Sequence, residues 1–253
     1  MNPPILPVRG LPFVDLDADG LVRLLSERLH NGPPTAVFTP NATIGAACLA
    51  NESYRSLVLT GDILLPDGIG VILASRREHP GGGLRCRLPG IEAGEAAMAL
   101  AAEGGEAVFF LGGKPGVADA AAQYWKKQYP TLRIAGTQHG YFDRQGQENE
   151  RILARIAAGD SALVIVCLGF PSQEEWITEN RNRLPGVRLW MGLGGSLDVW
   201  SGQVRRAPRL FRACRAEWLW RCLKTPSRMA ALPDMLRYTL VRGKERRPTG
   251  ENS

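Results

Sequence analysis

Strand-sized apolar runs alternate with longer helical patterns along most of this chain. The runs are TAVFT (35–39), DILLP (62–66), EAVFFLGG (106–113), LRIAGTQHGYF (132–142, a strand and loop), ALVIVCLG (162–169) and VRLWMGLGGS (187–196). Such alternation is typical of a parallel sheet with crossover helices. We therefore predict an α/β fold with a mostly parallel, Rossmann-like sheet and helices on both faces.

Helical patterns fill the intervals between these runs. We predict helices over 42–57, 68–76, 91–103, 115–129, 149–159 and 172–182. Pro115 suits the first position of a helix, because the N–H that it lacks would have no partner there. The segment 78–90 is rich in glycine and proline and is predicted to be a loop.

Charge is distributed unevenly. Residues 1–204 contain 18 Lys and Arg against 21 Asp and Glu, whereas residues 205–247 contain 13 against 3. We predict an α/β body over 1–204, with a front half at about 12–104 and a back half at about 105–204. Residues 205–253 are predicted to form a basic, amphipathic, helical C-terminal arm.

The arm interleaves arginines with Leu, Phe, Trp and Met in two helical stretches broken around Pro226 and Pro233. Such helices lie on anionic membrane surfaces, or cover a core while directing arginines at phosphates. An ordinary C-terminal helix packed on its own domain fits the pattern equally well. Nucleic acid is disfavoured as a partner, because the arm has little Lys and large apolar residues that need burial.

Composition disfavours several other classes of protein. The segment MNPPILPVRG (1–10) lacks the pattern of a signal sequence, and no apolar run approaches the roughly 20 residues of a spanning helix. Five cysteines without a CxxC pair and three separated histidines argue against a disulfide framework and a zinc site. Cys48 and Cys167 lie in apolar context and are predicted to be core residues. We expect a protein that is neither exported nor membrane-spanning.

Polar residues and glycines recur directly after the predicted strands. They are Thr39 and Asn41, Asp67, the segment 112–116, Tyr141, Gln173 and the segment 194–198. In open α/β sheets the carboxyl ends of the strands converge on one crevice, where ligands bind. We therefore expect these residues to line a common site.

Each of these residues also has an ordinary structural interpretation. Asp67 is either a base or the cap of a helix that begins near Gly68. The turn LGGKPG (111–116) either holds a phosphate or merely connects a strand to a helix, and it matches neither a Walker motif nor GxGxxG. Gln173 is otherwise a first-turn helix residue, and Arg87 a solvated loop charge.

Eight motifs follow one another along the chain. They are FTPNA (38–42), LLPDGIGV (64–71), RLPG (87–90), FFLGGKPGVADAAA (109–122), GYF (140–142), LGFPSQEEWI (168–177), GLGGSLDVWSGQVRRAP (192–208) and EWLWRCLKTPSRM (217–229). Their order and spacing resemble those of the WecG/TagA/CpsF glycosyltransferases over roughly residues 12–240.

The resemblance implies an inverting transfer of a sugar from UDP to polyprenyl-diphosphate-linked N-acetylglucosamine, with N-acetylmannosamine as the sugar in the best-known members. The product feeds teichoic acid, common antigen, capsule or exopolysaccharide synthesis. No metal and no cofactor beyond the UDP-sugar co-substrate is implied. The implied location is the cytoplasmic face of the plasma membrane, with the arm on anionic lipid, and a homo-oligomer is left open.

The resemblance also implies roles for charged residues. Asp67 matches the family's proposed base, which takes the proton of the acceptor hydroxyl. Arg87 matches an arginine that stabilises the leaving diphosphate, and three arm residues are hypothesised helpers: Arg206, Arg215 and Arg221. Asp67 would belong to the front half, and the nucleotide to the back half.

Further residues complete the implied site. Thr39 and Gln173 match polar residues that, with Asp67 and Arg87, form the catalytic group, and Asn41 matches a residue that orients sugar or phosphate. The nucleotide is assigned to Gly113, Tyr141 and Asp198, and Gly112 and Gly194 are further candidate substrate-binding residues.

One departure from the family concerns GIEAG (90–94), where many relatives carry a Gly-Ser-Asp-type stretch. Glu92 is the candidate replacement for that aspartate, and its carboxylate reaches further, so donor or acceptor preference is left open. Another donor such as UDP-glucose is one alternative, and a non-catalytic nucleotide-sugar-binding protein is another. A Rossmann-type oxidoreductase is disfavoured because no GxGxxG follows a strand.

Overall fold

The predicted sheet is present, with eight strands in the order β1-β2-β4-β3-β8-β7-β5-β6. The structure is a computed structural model and describes residues 3–204, 229 and 232–240. The strands are β1 (Ile5–Val8), β2 (Leu11–Val14), β3 (Thr35–Phe38), β4 (Ile63–Leu64), β5 (Ala107–Gly112), β6 (Arg133–Gln138), β7 (Ser161–Cys167) and β8 (Leu189–Gly192). Strand β1 pairs antiparallel with β2, and every other pairing is parallel.

Helices cover both faces of this sheet, as predicted. They are α1 (Ala18–His30), α2 (Ala42–Ala50), α3 (Glu52–Val58), α4 (Ile69–Glu78), α5 (Gly90–Gly104), α6 (Val117–Gln128), α7 (Gln147–Ala158), α8 (Ser172–Asn180), α9 (Ser196–Trp200) and α10 (Leu232–Leu240), with a 3₁₀ turn at Arg181–Arg183. Helices α1, α5, α6 and α9 share one apolar core with the sheet, and α2, α4, α7, α8 and α10 share the other.

The central strands are buried on both faces. Successive residues of β5 alternate between the two cores, with Val108 and Phe110 in one and Phe109 and Leu111 in the other. A strand enclosed in this way has a continuous apolar run in its sequence, because the side chains on both of its faces are buried. This is why the sequence shows these strands so clearly.

Three local differences from the sequence-based prediction have physical reasons. The helix predicted over 42–57 is two helices, because Asn51 adopts an extended conformation and its side chain caps α3 by accepting from the Ser53 N–H. Helix α6 begins at Val117 and not at Pro115, since Gly116 is its N-cap. The β1–β2 hairpin and α1 were not predicted, although Asp17 caps α1 in the ordinary way, accepting from the Gly20 N–H at 2.7 Å.

The arm is described only at residue 229 and along α10, which lies against α2 and α4. Tyr238 is 1% exposed, and a Cβ atom at Gly45 of α2 would overlap its ring. A Cβ atom at Gly70 of α4 would lie 3.0 Å from Thr239 Oγ1. Pro233, predicted to break a helix, occupies the second position of α10, where proline is tolerated.

The remaining predictions for the arm lie outside the described residues, including those for Arg206, Arg215 and Arg221. The boundary at residue 204 stays a prediction. Within the described ranges, no helix has the length and apolar character needed to cross a bilayer.

Candidate active site

Strands β3 to β8 run parallel, so the segments that follow them emerge at one edge of the sheet. Asp67 follows β4, Gly112 ends β5, and α8, which carries Gln173, follows β7. The structure thus places residues from the front and back halves at the same edge.

Asp67 lies between two other loops of the front half. Its N–H donates to the Pro40 carbonyl at 3.4 Å, and the Leu88 N–H donates to the neighbouring Pro66 carbonyl at 2.9 Å. These bonds bring the loop before Asn41 and the loop containing Arg87 to either side of Asp67. The side chains of Asp67 and Arg87 are both half-buried.

The N-cap of α4 is Gly68, with φ +88°. Asp67 therefore precedes the cap position that the alternative interpretation gave to it. Its half-buried carboxylate lies at the carboxyl ends of the parallel strands, where open α/β sheets bind their ligands.

Asn41 caps α2 with its side-chain oxygen. Oδ1 accepts from the Thr43 N–H at 2.9 Å and from the Ile44 N–H at 3.1 Å. Because a carbonyl oxygen has two lone pairs and the helix uses both, any contact of the Asn41 side chain with a ligand would be made by its amide NH₂.

Thr39 connects the front half to the end of β8. Its hydroxyl donates to the Gly192 carbonyl at 3.1 Å, and the side chain is buried. A Cβ atom at Gly90 would lie 2.9 Å from Thr39 Oγ1, so the start of α5 packs directly on this side chain. Thr39 thus sets the distance between the Arg87 loop and β8.

Gln173 is 2% exposed and acts through its neighbours. Its Oε1 accepts from the Gly194 N–H at 2.9 Å, and its Nε2 donates to Glu174 Oε1 at 2.9 Å. In this structure the carboxamide therefore holds the turn after β8. The sequence pattern, which placed Gln173 in a first helical turn, gave no sign of this burial.

The back half is held together by backbone contacts between glycines and Cys167. The Gly113 N–H donates to the Cys167 carbonyl at 3.3 Å, and the Gly113 carbonyl accepts from the Gly140 N–H at 2.8 Å. Gly112 has φ +137°, and a Cβ atom there would overlap the Cys167 carbonyl. The ends of β5 and β7 and the loop before Tyr141 are thereby brought together, with Tyr141 at the rim and 67% exposed.

Asp198, in the first turn of α9, is half-buried. Desolvation raises the pKa of its carboxyl, and the positive charge of Lys114 opposes that rise. Lys114 is exposed beside Gly113 and was not a predicted site residue, although its position inside LGGKPG was a usable signal. Lys114 brings a positive charge to the side of the crevice assigned to the nucleotide.

The two cysteines predicted to be core residues are buried. Burial raises the pKa of Cys48 to about 11 and that of Cys167 to about 12. Both thiols are therefore protonated near neutral pH, which disfavours them as nucleophiles.

The site thus has a front group and a back group joined by the turn after β8. The front group contains Asp67, Thr39, Asn41 and Arg87, the back group contains Gly112, Gly113, Tyr141 and Asp198, and Gln173 and Gly194 lie between them. In a parallel α/β sheet, the carboxyl ends of the strands are where ligands bind, and a glycine-rich turn there can accommodate a phosphate.

The chain belongs to the WecG/TagA/CpsF family of glycosyl transferases, whose sequence model matches residues 6–247. A protein of Bacillus spizizenii strain W23 is 32% identical over 233 residues, which are 92% of this chain and 88% of that protein. One from Staphylococcus aureus strain MRSA252 is 33% identical over 214 residues, 83% of this chain and 81% of that protein. Both relatives are named N-acetylglucosaminyldiphosphoundecaprenol N-acetyl-beta-D-mannosaminyltransferase.

Proposed function

We propose that this chain transfers N-acetylmannosamine from UDP to the N-acetylglucosamine of a polyprenyl-diphosphate acceptor, with inversion at the anomeric carbon. The names of the two relatives support the sugar and the acceptor. The observation that carries the mechanism is the position of Asp67, between the Asn41 and Arg87 loops and at the same sheet edge as the glycine turn of β5.

The proposed reaction is a single displacement. The acceptor hydroxyl oxygen attacks the anomeric carbon, the bond from that carbon to the diphosphate oxygen breaks, and UDP leaves with the electron pair. The Asp67 carboxylate takes the proton of the hydroxyl, which makes the oxygen a better nucleophile as the new bond forms.

Negative charge grows on the UDP diphosphate as it leaves. Arg87 lies on the loop whose Leu88 N–H bonds the Pro66 carbonyl, directly before the proposed base, and the backbone N–H groups of the turn after β5 offer further donors. We assign Asn41 and Thr39 to the sugar side, and Tyr141 and Asp198 to the nucleotide. The arginines of the arm are proposed to complete the stabilisation.

The test is UDP release from a panel of UDP-sugars with a short-chain lipid-diphosphate N-acetylglucosamine analogue. The native chain is expected to prefer UDP-N-acetylmannosamine, and Asp67→Asn to lose about 10²- to 10⁴-fold in kcat while retaining UDP binding. Asp160→Asn is the matched control, because Asp160 is exposed in the turn that precedes β7, at the opposite edge. Chelator is expected to leave the rate unchanged.

Each alternative function gives a different result in this assay. Preference for UDP-glucose would replace the proposed donor and leave the mechanism standing. UDP binding without release by the native chain would favour a non-catalytic binding protein. Full activity of Asp67→Asn would refute the assignment of the base.

We further propose that the arm binds an anionic membrane surface, where a polyprenyl acceptor must be met. Residues 205–247 carry 13 Lys and Arg against 3 Asp and Glu. Each basic residue near anionic lipid contributes about 1 kcal/mol, so exchanging Arg206, Arg215 and Arg221 for Gln should weaken binding to phosphatidylglycerol vesicles about 100-fold. Equal binding by the native and exchanged chains would refute this proposal.

A further inference from the structure

A buried carboxyl group lies beside the proposed site without a place in the reaction. Glu174, the third residue of α8 at the carboxyl end of β7, is 2% exposed. Its Oε1 accepts from Gln173 Nε2 at 2.9 Å, and its Oε2 has no hydrogen-bond partner within the described part of the chain. Burial raises the pKa of Glu174 to about 7, because the charged form is poorly solvated there. Burial of an ionisable carboxyl costs free energy, so the presence of Glu174 here indicates a role other than packing.

Glu174 fixes the orientation of the Gln173 carboxamide. A carboxamide has one accepting end and one donating end, and the two can exchange by rotation. At one end lies the Gly194 N–H, which can only donate, and at the other lies Glu174 Oε1, which accepts. Only one orientation satisfies both neighbours, and it directs Oε1 to Gly194.

The segment 192–194 is therefore held from two sides. From the front, the Thr39 hydroxyl bonds the Gly192 carbonyl. From the back, the Gln173 carboxamide bonds the Gly194 N–H and lies so close to Gly192 that a Cβ atom there would be 3.0 Å from Nε2. This segment leads into α9, which carries Asp198.

We propose that Glu174 is a positioning residue that fixes Gln173 and, through it, the turn joining the acceptor side of the site to the nucleotide side. The inference rests on the proposed function. Without an acceptor at position 174, only the Gly194 N–H orients the carboxamide, so the preference for this orientation is weaker and the NH₂ faces the Gly194 N–H more often. The turn then moves, and with it the alignment of donor and base.

The test compares two variants of Glu174. Glu174→Met is similar in length but accepts no hydrogen bond, whereas Glu174→Gln keeps an accepting oxygen. We expect Glu174→Met to lower kcat about 10- to 100-fold, with the KM for the donor within about threefold, because small misalignments slow a positioned reaction strongly. Glu174→Gln should recover most of that loss. Glu175→Gln, on the exposed side of α8, is the control with unchanged activity.

A packing role predicts a different outcome. If Glu174 served packing alone, Glu174→Met would keep kcat, because removal of a buried carboxyl from an apolar site does not itself harm a fold. We expect its Tm to stay within about 5 °C of the native value, since removal of the carboxyl offsets the unsatisfied Gln173 amide. Native kcat in Glu174→Met would overturn the inference, and so would failure of Glu174→Gln to restore activity.

Amide exchange gives a readout that does not depend on transfer. The Gly194 amide should exchange at least about tenfold faster in Glu174→Met than in Glu174→Gln, while the β1–β2 hairpin stays unchanged. Unaltered exchange at Gly194 would overturn the inference even where the native chain is active. A native chain that transfers no sugar would instead refute the proposed function, and the exchange data would still decide whether Glu174 positions the turn.

Discussion

Glu174 makes the stability of this protein depend on pH in a direction opposite to that of most carboxyl groups. Its pKa in the folded chain is about 7, against an ordinary value of 4.5, because burial penalises the charge. Two neighbours modify this effect: the Gln173 NH₂ favours the charged form, and the charge of Glu175 opposes it. The unfolded chain releases the proton first, so folding is progressively disfavoured as the pH rises from 4.5 to about 7.

The magnitude follows from the interval between the two pKa values, about 2.5 pH units. At about 1.4 kcal/mol per unit, ionised Glu174 costs about 3 kcal/mol of unfolding free energy above pH 7 and almost none below pH 4.5. Glu174→Gln removes the ionisation and keeps the hydrogen bond to Gln173. The gain in stability over the native chain should therefore be about 2 to 3 kcal/mol larger at pH 8 than at pH 5.

Urea unfolding of the native chain and of Glu174→Gln at pH 5 and pH 8 measures this difference directly. Glu175→Gln is the control and should change stability by less than about 0.5 kcal/mol at either pH, as is usual for an exposed substitution. A gain from Glu174→Gln that is equal at both pH values would refute the reasoning, because it would show that the carboxyl is not desolvated in the folded chain.

Three further substitutions test contacts that hold the fold around the site. Gly45→Val should displace α10, because the valine side chain would overlap the Tyr238 ring, and limited proteolysis within α10 should become faster. An unchanged cleavage rate would contradict the described packing. Gly112→Ala should lower the free energy of unfolding in urea by about 2 to 4 kcal/mol, because Gly112 has φ +137° and a Cβ atom there would overlap the Cys167 carbonyl. A loss under about 1 kcal/mol would contradict this contact. Asn51→Ala should cost about 1 kcal/mol through loss of the α3 cap, and an unchanged urea midpoint would argue against the break between α2 and α3.

Some of the site could be predicted from the sequence because its signals are local. The strand before Asp67 is a buried apolar run, and Pro66 and Gly68 mark its end, so the residue could be assigned to the crevice edge. The same reasoning placed the glycines of LGGKPG at the end of β5, where the structure has them. A parallel sheet then brings such residues to one edge, whatever the order of its strands.

Other features depend on contacts between distant residues. Gln173 bonds the Gly194 N–H and lies against Gly192 at the end of β8, about 20 residues away in the chain, so no local pattern predicts that it is buried. The break at Asn51 was missed because an extended capping residue inside a helical pattern looks like one more polar helix position. Helix α1 was not predicted, although Asp17 is a recognisable N-cap residue, because the apolar runs of the strands are the stronger signals.

Helix α4 connects both ends of the described chain to Asp67, the proposed base. Its first residues follow Asp67 and Gly68, its far end bonds the N-terminal hairpin through Glu78 and the Arg9 N–H at 2.9 Å, and its flank receives α10 at Gly70. Ending the protein at residue 204 would remove α10 and therefore expose Gly70 on α4, the helix that begins beside Asp67. Kinetic constants from such a shortened protein would combine the loss of the arm with any movement of α4, so the effect of the arm on kcat is better measured by substitutions within the arm.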